Sequence, residues 1–198
     1  MAKALAALAG VLLLALCCAC GRPAARPDGG FGLLGVGAPA PEVVGYDVER
    51  REVRLSAQRG HYVVVYFYPM DGSPGCTTEA CAFRDVWSRY QEANVTVLGV
   101  SSNSEERHQE FLRDRKLPFA LASDESGAVA ASYGVGKGLF GFERVSFLVD
   151  GEGRIARVWN DVDPGVHAME VLSAVPHAPS PDGPSPSAGG TPPSTVAP

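Results

Sequence analysis

The run Tyr62 to Tyr68, YVVVYFY, constrains this chain more than any other stretch. It is β-branched and aromatic throughout and has no polar face, so a strand built from it must be covered on both sides. Helices have to supply that cover. A second apolar strand pattern follows at Thr96 to Val100, TVLGV. Between them lies Thr77 to Ala93, where Ala80, Phe83, Trp87 and Tyr90 recur at helical spacing and leave Glu79, Arg84, Ser88 and Arg89 toward water. After the second strand, Asn103 and Glu106 stand at capping-box spacing and open a helix that Pro118 must end. Upstream, Val43 to Asp47 and Glu52 to Leu55 read as an edge hairpin at the N-terminal side of the domain. Downstream, Ser146 to Val149 and Ile155 to Trp159 flank the turn Asp150-Gly151-Glu152-Gly153, and Val166 to Val175 closes the pattern with a helix. This order predicts an α/β sheet sandwiched by helices.

At 198 residues, 45% hydrophobic and 20% charged, the chain has room for one globular domain plus extensions. Its 17 Lys and Arg stand against 22 Asp and Glu, and no like-charged run interrupts the domain, so no nucleic-acid partner is expected. Lys3 precedes an apolar run from Ala4 to Leu16, too short for a bilayer that takes about 20 residues. Residues 1–20 therefore read as the leader of an exported protein of the cell envelope. The cluster Cys17-Cys18-Ala19-Cys20 resembles a bacterial lipoprotein cleavage box, with Cys20 as the lipidated residue and Cys17 where that pattern carries leucine. Plain secretion with cleavage nearby, or an uncleaved anchor, fits the same leader. Residues 21–35, rich in Gly, Pro and Ala, read as a flexible tether; 36–175 as the domain; and 176–198, mostly Pro, Ser, Gly, Ala and Thr, as a disordered tail. Any contact with a membrane would run through the lipid alone.

If Cys20 is lipidated and the residues before it are lost, Cys76 and Cys81 are the remaining thiols. Cys76 follows Ser73-Pro74-Gly75 after the buried strand and stands in the predicted first turn of a helix, where unpaired N–H groups and the helix dipole favour a thiolate. A free thiol with a pKa of about 8.5 is only a few per cent ionised at neutrality, and making it mostly thiolate takes roughly 3.4 kcal/mol. A helix N-terminus supplies about 0.3–1 kcal/mol and up to ~2 in good geometry. A cation must supply the rest. From these residues alone, a buried cysteine acting as a small hydrophobe or a structural disulfide stays open. Ser73 could simply shape a turn beside Gly72 and Pro74, and His61, His108, His167 and His177 read as surface or turn residues.

The segment Pro69-Met70-Asp71-Gly72-Ser73-Pro74-Gly75-Cys76 resembles the peroxiredoxin signature of Pro, three residues, Thr or Ser, two residues, Cys. The longer stretch Tyr66 to Asp85, YFYPMDGSPGCTTEACAFRD, is similar to the Q-type branch, also called bacterioferritin-comigratory proteins. Supporting stretches are Val36-Gly37-Ala38-Pro39-Ala40-Pro41, Leu55-Ser56 and Arg144-Val145-Ser146-Phe147-Leu148-Val149-Asp150. The resemblance implies a thioredoxin-like fold with a central mixed β-sheet flanked by helices. It also implies a thiol peroxidase acting on hydrogen peroxide and organic hydroperoxides, recycled by a thioredoxin-like or other dithiol reductant, with no cofactor or metal and as a monomer. Carried over residue by residue, it makes Cys76 the peroxidatic thiol and Cys81 the resolving one. Arg144 becomes the missing cation beside the sulfur, Ser73 a donor to the peroxide, Pro69 a shield from bulk water, and Glu79 the group that orients Arg144.

Two other readings share parts of this pattern. A thioredoxin-like disulfide exchanger wants Cys-x-x-Cys, whereas four residues separate Cys76 from Cys81. A tethered copper chaperone would need a close Cys pair with a suitably placed His, and an adhesive lipoprotein would need no chemistry at all. If Cys81 does resolve Cys76, five residues of α-helix place their Cα atoms ~8.7 Å apart, beyond the ~6.8 Å reach of a disulfide. The helix would have to unwind between reduced and oxidised states.

Overall fold

A computed structural model of the protein describes residues 25–176; the leader with Cys17, Cys18 and Cys20, the tail from 177 and His177 lie outside them. In chain order the elements are β1 (Val44–Tyr46), β2 (Glu52–Arg54), a 3-10 turn (Leu55–Gln58), β3 (Tyr62–Phe67), α1 (Pro74–Asp85), α2 (Trp87–Glu92) and β4 (Val95–Ser101). There follow α3 (Glu105–Arg115), β5 (Ala120–Ser123), α4 (Ala128–Tyr133), β6 (Lys137–Gly138), β7 (Gly141–Phe142), β8 (Val145–Val149), β9 (Ile155–Trp159) and α5 (His167–Ala174). Seven strands form one mixed sheet in the order β2-β1-β5-β4-β3-β8-β9, and β6 pairs with β7 in a separate hairpin. β4 runs parallel to both β3 and β5; β8 is antiparallel to β3 and to β9. The hairpin β1–β2 occupies the edge expected from its sequence.

The strand from which the sequence reading began lies in the middle of this sheet and is buried on both faces. Val64, Tyr66 and Tyr68 enter one core with Phe83, Tyr90, Leu112 and Val171; Val63, Val65 and Phe67 enter the other with Ala130, Tyr133 and Phe147. Period-2 alternation thus sends every second side chain to a different helical layer. Tyr66 stacks against Tyr68 at 5.3 Å and against Phe83 of α1 at 5.1 Å, which fixes that helix on the sheet. The described part of the expected tether also contributes, since Leu34 is buried and its N–H donates to Tyr133 O at 3.0 Å. Among the described residues no helix is long and apolar enough to cross a membrane.

Three boundaries differ from those expected. The single helix over 77–93 is two, because Val86 leaves helical geometry at φ −110°, ψ 18°, and the first of them starts earlier, at Pro74. The bend keeps Phe83 and Tyr90 in edge contact at 5.6 Å inside the core. The cap of α3 is Ser104, whose side chain accepts the Arg107 N–H, and Asn103 instead accepts the Asp71 N–H at 2.9 Å. That helix also stops before proline acts. Lys116 turns left-handed at φ 52°, and the Leu117 N–H closes onto Leu112 O at 2.9 Å. Strand β5, helix α4 and the β6–β7 hairpin had no sequence signal.

Candidate active site

The loop after β3 is turned by Gly72, at φ 76°, and delivers the chain to Ser73, the N-cap of α1. Proline at the first helical position costs no hydrogen bond, because the first-turn N–H groups lack a carbonyl one turn earlier. Cys76 is thereby in the first turn, 1% exposed and unbonded to another cysteine. The Gly75 and Cys76 N–H groups belong to that same turn and are oriented as a set of donors at a positive helix end.

Arg144 stands just before β8, the strand antiparallel to β3, and this pairing brings residues far apart in sequence together. Its Nη2 donates to Cys76 Sγ at 3.3 Å, and its Nη1 donates to Glu79 Oε2. Gly75 leaves room for the approach, since a Cβ there would lie a tight 3.3 Å from Nη2. The guanidinium is fixed at two points and its side chain is 19% exposed. Burial and the Glu79 charge act on Arg144 in opposite directions, and the net effect holds its pKa above the ordinary value.

Glu79 corrects the helical-face reading: it is fully buried rather than turned to water, because its face of α1 lies against Arg144 and the sheet. Burial wins over the ion pair and pushes its carboxyl up to about 7. Oε1 has no hydrogen-bond partner among the described residues, which is why the pair does not repay desolvation in full. A carboxyl raised in the folded state holds its proton more tightly there than in the unfolded chain. Its contribution therefore favours the fold below about 4.5 and is lost as the pH rises through about 7, by at most about 3–4 kcal/mol. Glu79→Gln is expected to remove that loss. Urea midpoints at pH 5 and pH 8 check it, and equal pH dependence in parent and variant would refute it.

Ser73 and Pro69 both lie on the loop that leads from β3 into α1. The Ser73 hydroxyl donates to Met70 O at 3.1 Å. Pro69 is half-buried under the β6–β7 hairpin, packed so closely that a Cβ on Gly141 would meet Pro69 O at 2.0 Å. Cys81 is half-buried one and a half turns further along α1, facing a groove shared with Thr77, Ala82, Ala168 and Met169. Sequence reasoning missed two histidines, both corrections to the surface reading. His108 is 1% exposed and bonded to Asp71; His167 is fully buried, with Nε2 at 2.8 Å from Ser146 Oγ and its pKa lowered chiefly by burial. His108 bonds Asp71 and Ala122 O from other elements; His167 has Glu170 one turn on along its own helix at 3.5 Å, but its short contact, to Ser146, comes from β8. His61 is exposed, as expected.

Residues 36–158 match the AhpC/TSA family. The chain belongs to that family. Peroxiredoxin Bcp of Bacillus subtilis is 38% identical over 147 residues, covering 71% of this chain and 94% of the relative. Chloroplastic peroxiredoxin Q of Sedum lineare is 40% identical over 150 residues, covering 74% and 81%. Among solved structures, peroxidoxin BcpB of Mycobacterium tuberculosis superposes with a TM-score of 0.67 at 29% identity over 74% of this chain and 99% of its own. Bacterioferritin comigratory protein of Xanthomonas campestris does so at 0.62 and 31% identity over 67% and 89%. This chain is thus a peroxiredoxin with a thioredoxin-like fold, and its activity is that of a thiol peroxidase.

Proposed function

We propose that Cys76 attacks the peroxide and Cys81 resolves the product. The supporting observation is the Arg144 Nη2 donor at 3.3 Å from a first-turn sulfur. The Cys76 thiolate forms an S–O bond with one peroxide oxygen as the O–O bond breaks. The departing oxygen leaves as alkoxide or hydroxide and takes up a proton, so sulfur is oxidised by two electrons and the peroxide reduced to alcohol or water. Charge develops on the leaving oxygen, and donors already aimed at that space stabilise it. Arg144, the first-turn N–H of Cys76 and a rotated Ser73 hydroxyl supply them, while Pro69 keeps bulk water from the sulfur. The Cys81 thiol then displaces water from the sulfenic acid and closes a disulfide. A thioredoxin-like or other external dithiol reduces it, taking the disulfide itself. Hydrogen peroxide and organic hydroperoxides both fit a step that acts only on the O–O bond. Export, with Cys20 as a lipid anchor, completes the reading and rests on the leader's composition.

Peroxide consumption with a dithiol donor tests the assignment. Cys76→Ser is expected to abolish it. Cys81→Ser is expected to complete one turnover and stall as a sulfenic acid or mixed disulfide, detected by mass. Parent-rate turnover by Cys76→Ser would end the proposal.

A further inference from the structure

The loop that carries Cys76 into place is held from beneath by a buried polar cluster that the steps above do not use. Asp71 lies in that loop, and its side chain is 1% exposed; the His108 side chain on α3 is 2% exposed. Tyr68 Oη donates to Asp71 Oδ1 at 2.6 Å, and His108 Nδ1 lies 2.8 Å from Asp71 Oδ2. The other ring nitrogen, Nε2, is 3.2 Å from Ala122 O on β5. The Asp71 N–H donates to Asn103 Oδ1, which also accepts from Ser101 Oγ at 3.0 Å at the end of β4. Tyr68, His108 and Asn103 therefore converge on one loop residue, five positions before Cys76, and β4 and β5 hold Asn103 and His108 in turn.

The protons in this cluster can be counted. A carbonyl only accepts, so His108 Nε2 carries a hydrogen. Tyr68 keeps its hydrogen as well: burial first, and the Asp71 charge next, push its hydroxyl well above the ordinary value. One proton must then lie between His108 Nδ1 and Asp71 Oδ2, since otherwise two lone pairs would face each other at 2.8 Å away from water. Ion pair or neutral pair, the proton count is the same. An apolar plug could fill this space without any desolvation cost. What the hydrogen bonds add is direction, fixing the loop in a single setting on the sheet.

We propose that Asp71 is a positioning residue of the peroxidase reaction. Gripped by His108 and Tyr68, it locks residues 68–73 so that the first turn of α1 presents the Cys76 sulfur to Arg144. This rests on Cys76 being the reacting thiol.

The test uses the full chain and the second-order rate constant for Cys76 oxidation by hydrogen peroxide in a single turnover. Asp71→Asn can serve every partner, its amide oxygen accepting from Tyr68 and its amide nitrogen donating to Nδ1 of a neutral His108. Asp71→Ala leaves both partners buried and unpaired. The rate constant is expected to fall at least about tenfold in Asp71→Ala and to stay within about threefold of the parent in Asp71→Asn. Ile155→Ala, a cavity at the opposite end of the sheet, serves as a control for lost stability, read from thermal midpoints. It is expected to react at the parent rate. Should Asp71→Ala not fold, Tyr68→Phe removes one hydrogen bond and little volume, and is expected to slow the step about tenfold. The proposal is overturned by parent-like reaction of Asp71→Ala, or of Tyr68→Phe where that variant stands in. Equal slowing in Asp71→Asn, or in Ile155→Ala at a matched loss of midpoint, overturns it too. Cys76→Ser in the same assay separates the two failures: persistent peroxide consumption there defeats the assignment of the thiol and the role of Asp71 with it, whereas its loss there together with parent-like Asp71→Ala defeats the role of Asp71 alone.

Discussion

Arg144→Met is expected to lower the rate constant of Cys76 with hydrogen peroxide by about 10²–10³-fold, the loss typical of removing one preorganised donor from a developing oxyanion. Arg144 meets both the sulfur and, through its other nitrogen, the buried Glu79, so its direction is set before substrate arrives. Because burial already draws the Glu79 carboxyl up to about 7, the variant can leave that group protonated and neutral, and the fold is expected to survive. Arg144→Lys retains the charge but has one nitrogen where two are used, and should fall between parent and methionine variant. Stopped-flow oxidation of the reduced protein measures both. Reaction of the methionine variant within about threefold of the parent would remove Arg144 from the mechanism.

Peroxide treatment is expected to melt the start of α1. Cys76 and Cys81 share that helix and are both unpaired in this reduced state. An intact helix holds their Cα atoms ~8.7 Å apart against a disulfide limit of ~6.8 Å, so the backbone hydrogen bonds between them must open for the bond to close. Amides 77–83 should lose protection by about 10²-fold or more in the oxidised protein, a local opening worth about 2.7 kcal/mol. Thr77 N–H to Ser73 O, at 2.8 Å, is among the bonds at stake. Cys81→Ser treated in the same way should keep its protection. Equal exchange in reduced and oxidised parent protein, with the disulfide verified by mass, would mean that the pair forms without unwinding and that the helix geometry is misread.

Much of the fold could be read from local pattern. Tyr62 to Tyr68 declared a doubly buried strand because no polar residue interrupts it, and Gly-bearing Asp150 to Gly153 declared the β8–β9 turn. Ala120 to Ser123 did not declare β5: it is short and not β-branched, and becomes a strand through pairing with β4 on one side and β1 on the other. Glu79 was misplaced for a related reason. A charged residue on a helix is assigned to water unless a partner is known, and its partner is 65 positions away.

What the amino-acid order determined by itself was where the two thiols stand on the backbone. Ser-Pro-Gly before Cys76 encodes a helix start, and five-residue spacing sets the geometric demand on Cys81, since both depend only on neighbouring backbone. Tertiary structure alone decided what surrounds that sulfur. Arg144 reaches it because β8 pairs antiparallel with β3, and Asp71 finds His108 because α3 packs beside the loop. Such meetings arise from long-range packing, and the charge of a buried group depends on whom it meets there.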